Sequence, residues 1–155
     1  MSKNRVKLFS LFLSCSSILM LYMFVNTLTA LLTLLSIIIY SFIYSVYLKN
    51  LTSQNIVIGG IAGAMPPLLG WTSITNQVEP FPLILFLIIF LWTPPHFWAL
   101  AIARKNDYER AKIPMLPVTH GIEFCKTCVV GYSILLALVC VLPYLIGMSG
   151  VIYLL

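Results

Sequence analysis

The sequence predicts an all-α membrane protein, a polytopic bundle of about five transmembrane helices forming a single domain over residues 1–155. Three observations carry that prediction. Mean hydropathy is +1.03, and only 8% of residues are charged, against about 25% in an ordinary soluble domain. Apolar runs of roughly 20 residues, the length that crosses the hydrocarbon of a bilayer, recur along the chain. The charges gather between these runs rather than inside them. Six of the thirteen charged residues fall between Arg104 and Lys112, in RKNDYERAKIPMLP.

The spans follow in order. No charge occurs from Leu8 to Leu48. One helix of that length would measure about 60 Å at 1.5 Å per residue, twice the hydrocarbon thickness, so it must break. VNTLT, Val25 to Thr29, is the most polar place to turn and predicts spans near residues 8–25 and 29–48. The basic start and first apolar run imitate a secretory signal, but the run exceeds the roughly 7–15 residues of a signal core and no small-x-small site follows it. It reads as a retained helix. A third span runs from Ile56 to about Thr75 and contains Gly59, Gly60, Gly63, Pro66, Pro67 and Gly70. Its small residues predict close helix packing and its prolines a bend. A fourth covers Phe81 to Ala103 and a fifth roughly Thr127 to Gly147, and the final VIYLL reads as the start of a sixth. Five spans alone are expected to bury the Gly/Pro-rich third helix poorly, with marginal stability as the result.

Orientation follows from the cations. The N-terminus and Lys49 are separated by two spans, and Lys49 and Arg104 by two more. All the basic loops therefore lie on one side, which the positive-inside rule makes cytoplasmic. The opposite loop, Thr72 to Pro80, carries only Glu79. The net charge of +5 is thus placed for topology, and the lipid bilayer, with no nucleic acid, is the expected environment.

Two cytoplasmic connections combine cations with amide or carboxylate oxygens: YLKNLTSQN, Tyr47 to Asn55, and the block from Arg104. A phosphorylated head group with a bound hard cation suits that mixture. Mg²⁺ prefers one or two carboxylates plus substrate phosphates, and Lys and Arg neutralise the remaining charge. The same loops also do what charged loops do in every polytopic protein, which is to set topology. LWTPPHFWALAI, Leu91 to Ile102, places Pro94, Pro95 and His96 inside an apolar span. The prolines remove amide donors, and a bend there could open a cavity near His96 beside Trp92, Phe97 and Trp98. Intramembrane His is often functional, and it can equally hydrogen-bond a carbonyl freed by the prolines. Cys125 and Cys128 form one C-x-x-C. Without a second pair it reads as small buried thiols in a helix rather than a metal or redox site.

Three stretches in order, YLKNLTSQNIVIGGIAGAMPPLLGW (Tyr47 to Trp71), LWTPPHFWALAIARKNDY (Leu91 to Tyr108) and DYERAKIPMLPV (Asp107 to Val118), closely resemble the protoheme IX farnesyltransferase (haem O synthase) family of UbiA-type intramembrane prenyltransferases. The resemblance extends over essentially the whole chain. It implies a nine-helix bundle in which two polar motifs at the cytoplasmic face hold a Mg²⁺–diphosphate and a lipid tail runs down a central cavity. It implies transfer of a farnesyl group from farnesyl diphosphate to a vinyl group of haem b, which is substrate rather than cofactor. By the same resemblance, Asp107 falls on the acidic position of the second motif as metal ligand. Lys49, Arg104, Lys105 and Lys112 are candidate diphosphate-neutralising cations. Gln54 and Asn55 open the QNIVIGG helix as candidate substrate contacts, and His96 of TPPHFWALA is a candidate haem contact.

The first Asn/Asp-rich motif of that family has no counterpart here, because the acidic residues are only Glu79, Asp107, Glu109 and Glu123. Where many UbiA-type enzymes carry a second acid, this chain has Ala111, as haem O synthases do. The resemblance places the chain from the family's third helix into its eighth. Three readings compete: part of a haem O synthase completed by a separate N-terminal segment; a truncated, inactive remnant that binds haem, isoprenoid or a membrane partner; and a small transporter component, disfavoured because no charge lines the spans. A downstream haem A synthase is a further candidate partner. The expected location is a bacterial inner membrane in preference to a mitochondrial one.

Overall fold

The computed structural model describes residues 2–154. Among them there is no strand, and five helical spans are long and apolar enough to cross a membrane. The first is α1, Lys3–Phe24, and the second is α2, Thr27–Leu51. They turn at Val25 and Asn26, inside the predicted VNTLT. Asn26 causes the turn: its side chain caps α2 by accepting the Thr29 N–H at 2.8 Å, a contribution of about 1 kcal/mol. Its amide also donates to the Thr72 carbonyl at 2.8 Å, tying the turn to the third span. Beside it the Thr29 and Thr72 hydroxyls meet at 3.0 Å, both buried.

The second span changes character part-way. From Ile39 to Leu48 it is a π-helix of ten residues, a form usually confined to single turns and often found at functional sites. Ser45 Oγ donating to the Tyr40 carbonyl five residues back, at 2.8 Å, follows that wider spacing.

The third span divides as its prolines predict, into α3, Asn55–Ala64, and α4, Pro66–Thr75. Pro66 opens α4 at a position where a missing N–H is tolerated. The expected poor burial of this span is overturned. In its most apolar window 39% of residues are buried, more than in any other span, while none are buried in those of α1 and α2. The physical reason is the small residues. A Cβ on Gly60 would lie 3.3 Å from Thr93 Cγ2, and Ala62 and Ala64 are buried, so neighbouring helices approach the backbone itself.

The fourth span is α5, Pro80–Ala103, and contains Pro94 and Pro95 without interruption. These prolines donate nothing to the carbonyls one turn back. The carbonyls left without those donors are those of Phe90 and Leu91, while one residue earlier Thr93 Oγ1 donates to the Ile89 carbonyl at 2.7 Å. A short helix α6, Lys105–Arg110, and one turn α7, Leu116–Thr119, lead into the fifth span α8, Ile122–Leu145. That span begins five residues before the predicted Thr127. Lys126 does not end it: Glu123 stands in the first turn, where the helix dipole favours an acid, and accepts Lys126 Nζ at 2.8 Å on the surface. After α8 the chain forms one 3₁₀ turn, Val151–Leu154, rather than the expected α-helical start.

The core sits at one end of the bundle. Ile56, Trp98, Ala101, Met115, Leu116 and Cys125 form one buried cluster, with Trp98 edge-on to Tyr132 of α8 at 5.4 Å. Elsewhere, large apolar side chains such as Leu8, Phe12 and Leu138 stand exposed, as lipid-facing residues do.

Candidate functional site at the charged end of the bundle

The buried cluster lies directly beneath the charged block. Arg104 ends α5 with its N–H on the Leu100 carbonyl at 3.0 Å. The chain reverses after α6, where Lys112 takes a left-handed φ of 55° and Ile113 N–H reaches back to the Tyr108 carbonyl at 3.0 Å. Tyr108 and Ile113 pack onto the buried cluster, while Met115, Leu116 and Pro117 are buried. The apolar half of RKNDYERAKIPMLP is therefore an anchor and the polar half a platform.

On that platform the charges are unspent. Among the described residues Lys126–Glu123 is the one salt bridge. Arg104, Asp107, Glu109, Arg110 and Lys112 are exposed and Lys105 half-buried. Exposed pairs are worth only about 0–1 kcal/mol, so leaving these charges unpaired costs the fold little. Free charges on a fixed support can meet a ligand.

The other connection is held to the same core. Asn55 is 1% exposed, and its Nδ2 donates to the Lys49 carbonyl at 3.2 Å. Asn55 thus fastens the Lys49 turn, and the Lys49 side chain is exposed. Gln54 is exposed too, its N–H resting on Thr52 Oγ1 at 3.2 Å. Ile56, next to Asn55, joins the cluster on which Tyr108 packs, so both connections stand on one support. Two buried polar atoms here, Asn55 Oδ1 and Trp98 Nε1, have no hydrogen-bond partner.

Below this end opens an apolar cleft of about 320 Å³. Tyr40 and Tyr44 of the π-helical segment form one wall, stacked at 5.5 Å. Gly59, Gly60 and Gly63 of α3 form the floor, and Ile89, Trp92, Thr93 and Phe97 of α5 the opposite wall. Ile56 belongs to both cleft and buried cluster, which joins the cleft to the charged end. His96 does not line it. It is exposed, stacked on Trp92 at 4.4 Å and edge-on to Phe97 at 5.4 Å, so the cavity expected near His96 is lined by its neighbours.

Among the described residues no three His, Cys, Asp or Glu side chains come together to hold a metal ion. Asp107, with Glu109 on the same short helix, offers at most two carboxylates. That donor set fits an ion that arrives with phosphate oxygens and waters, and does not fit a closed protein cage. Cys125 and Cys128 carry no disulfide and lie on α8 as packing thiols, Cys125 fully buried.

Sequence reasoning led to the Trp92 and Phe97 side of the cleft and missed its Tyr40–Tyr44 wall. Gly59 and Gly60 signalled close packing, but a π-helical register has no comparable sequence signature, and Tyr40 and Tyr44 read as ordinary apolar residues of a span.

A model described as the UbiA prenyltransferase family matches residues 1–155. Over 154 residues the chain is 63% identical to protoheme IX farnesyltransferase 2 of Pseudoalteromonas translucida, covering 99% of this chain and 50% of that protein. It is 60% identical over 152 residues to protoheme IX farnesyltransferase 1 of Shewanella sp. (strain ANA-3), covering 98% and 51%. With the protoheme IX farnesyltransferase of Colwellia psychrerythraea it shares 64% over 134 residues, covering 86% and 44%. The chain spans about half the length of these curated relatives. No solved structure matches it.

Proposed function

The chain belongs to the UbiA prenyltransferase family, and from that premise we propose that it supplies part of a haem O synthase, which transfers farnesyl from farnesyl diphosphate to a vinyl group of haem b. The relatives carry that activity in their names. The observation that carries it in this chain is the continuity of an unpaired charged platform with an apolar cleft at one end of a membrane bundle. That is the complement of an amphiphile with an anionic head and an apolar tail.

The roles follow from placement. Lys49, Arg104, Lys105 and Lys112 would neutralise the diphosphate as it leaves, and Asp107 would hold the Mg²⁺ that arrives with it. A bound Mg²⁺ supplies charge stabilisation on the leaving group. The allylic C–O bond breaks with its electron pair going to diphosphate. The vinyl carbon of haem then attacks the farnesyl cation, and the new cation beside the ring takes the oxygen of a water molecule, which gives up a proton to solvent. Exclusion of water by the aromatic walls protects the first cation until the vinyl group reaches it. The basic loops face the cytoplasm, in the inner membrane of a bacterium.

One observation favours a second reading. The acidic residues are only Glu79, Asp107, Glu109 and Glu123, with no Asn/Asp-rich motif among them, and on this reading the chain binds the diphosphate without turnover unless another segment completes the site. Haem O formation from haem b, farnesyl diphosphate and Mg²⁺ separates the two. Product from the chain alone sinks the second reading. Product only with a complementary segment supports a shared site, and no product in either case leaves an isoprenoid- or haem-binding remnant.

A further inference from the structure

The cleft carries an unusual construction in its wall. A Cβ on Gly59 would stand 2.6 Å from Tyr44 Cδ2, 2.9 Å from Cε2 and 3.2 Å from Cγ. The contact involves the root of the ring as well as its edge, so swinging the ring tip alone cannot relieve it. Tyr44 comes from the π-helical segment. Four residues overshoot one turn of an α-helix but fall short of one π turn, with its i→i+5 pattern. The π register therefore swings Tyr44 to the other side of Tyr40 from where an α-helix would put it, and Gly59 is the residue that lets it lie there. Two rare features meet at one contact.

We propose that Gly59 and the π-helical register of Tyr44 act together as positioning residues that set the length of apolar chain the cleft accepts. The ligand class is the isoprenoid tail of a diphosphate ester, so the inference rests on the function proposed above and deepens it. Three observations select that tail. The volume of about 320 Å³ is room for a single apolar chain. The lining holds no charged residue and no His, Cys or Met, and Thr93 turns its hydroxyl to the Ile89 carbonyl, presenting its methyl. The cleft also runs from Ile56 beside the charged end to Gly63 further along α3, about 10 Å away at the α-helical rise.

Space beyond the ring is the cleft itself, so a side chain at position 59 drives Tyr44 into the volume the tail occupies. The outer part of a long tail is lost first. Trp92 lines the cleft, and its fluorescence reports filling in the purified full chain in lipid nanodiscs, with Trp92→Phe as the control for the other tryptophans. Geranyl, farnesyl and geranylgeranyl diphosphates are titrated, together with farnesol, which has the tail without the diphosphate.

In Gly59→Ala, farnesyl diphosphate should bind about tenfold or more weakly, the range for methylene-scale misfit in an apolar pocket, and geranyl diphosphate less than about threefold more weakly. Adding Tyr44→Ala to Gly59→Ala should restore the farnesyl affinity. Tyr44→Ala alone, which keeps the glycine and removes only a half-buried ring, should bring geranylgeranyl within about threefold of farnesyl. Equal weakening of all lengths in Gly59→Ala, no rescue by the second substitution, or an unchanged length preference in Tyr44→Ala each overturns the inference. Length dependence seen equally for farnesol and farnesyl diphosphate supports the inference and overturns the diphosphate reading of the charged end. Diphosphate binding without length dependence does the reverse.

Discussion

Of two grooves on this molecule, the larger is the less built. Between α1 and α2 lies an apolar groove of about 810 Å³, lined by residues such as Leu11, Ser14, Ile18, Leu34 and Phe42. The cleft between α2, α3 and α5 has about 320 Å³. The large groove is the gap left where two lipid-facing helices diverge from their shared turn, and its helices bury nothing in their most apolar windows. The small one has a register shift, two stacked tyrosines and a glycine whose side chain would collide with one of them. Size measures how far helices stand apart. Construction shows where the sequence has committed residues to a shape.

If that contrast is real, substitutions on the two sides should differ steeply. The largest effect is expected at the support beneath the small cleft. Trp98→Ala, at 1% exposure, should destabilise by about 3–5 kcal/mol, read as loss of the folded fraction in detergent unfolding. Next comes the platform. In a complete, turning-over enzyme, Asp107→Asn should lower kcat for haem O about 10²–10³-fold with unchanged unfolding, as for loss of one electrostatic contact to a developing charge. Full activity in that variant would remove Asp107 from the metal site. At the opposite end, Thr72→Val removes one buried hydroxyl pair and should cost about 0.6 kcal/mol, the mean for interhelical hydrogen bonds in membranes. The smallest effect belongs to the large groove, where Leu11→Ala at 61% exposure should stay within about 0.5 kcal/mol. A Leu11 effect as large as that of Trp98 would erase the distinction between the grooves. Cysteine accessibility gives a second view: exposed Cys15 lines the large groove, while Cys125 is fully buried. A bilayer-soluble maleimide should label Cys15 well before Cys125.

The sequence made the spans legible because hydrophobic length is a one-dimensional property. Val25 to Thr29 marked the first turn, Pro66 and Pro67 the break in the third span, and Arg104 the end of the fourth. It also led to Asp107, Lys49 and the block from Arg104, which stand together at one end. What it hid depends on three dimensions. The fifth span read as beginning near Thr127 rather than at Ile122 because the Lys126–Glu123 pair and the helix dipole were invisible as a pattern. Asn55 read as a candidate substrate contact, and the pattern did not show that it is buried with its Nδ2 donating to the Lys49 carbonyl. The burial of the third span was underestimated because small residues read as weak packing until their neighbours are seen pressed against them. Of the cleft, Trp92 and Phe97 were legible and the Tyr40–Tyr44 wall was hidden, since a π register is a property of hydrogen bonding and not of residue order.

The Asn26 side chain ties the turn after the first span to carbonyls at the end of the third. During synthesis the first two helices emerge before Thr72 and Ser73 exist, so the early hairpin has no partner for the Asn26 amide. Its place in the bundle is settled only when the third span has crossed, and assembly in the bilayer acquires an order. An Asn26→Ser chain, which keeps a capping oxygen for the Thr29 N–H but lacks the amide donor, should behave as the unaltered one does when arrested after the second span. After the third span the two should differ, with the altered hairpin cross-linking to α4 less efficiently.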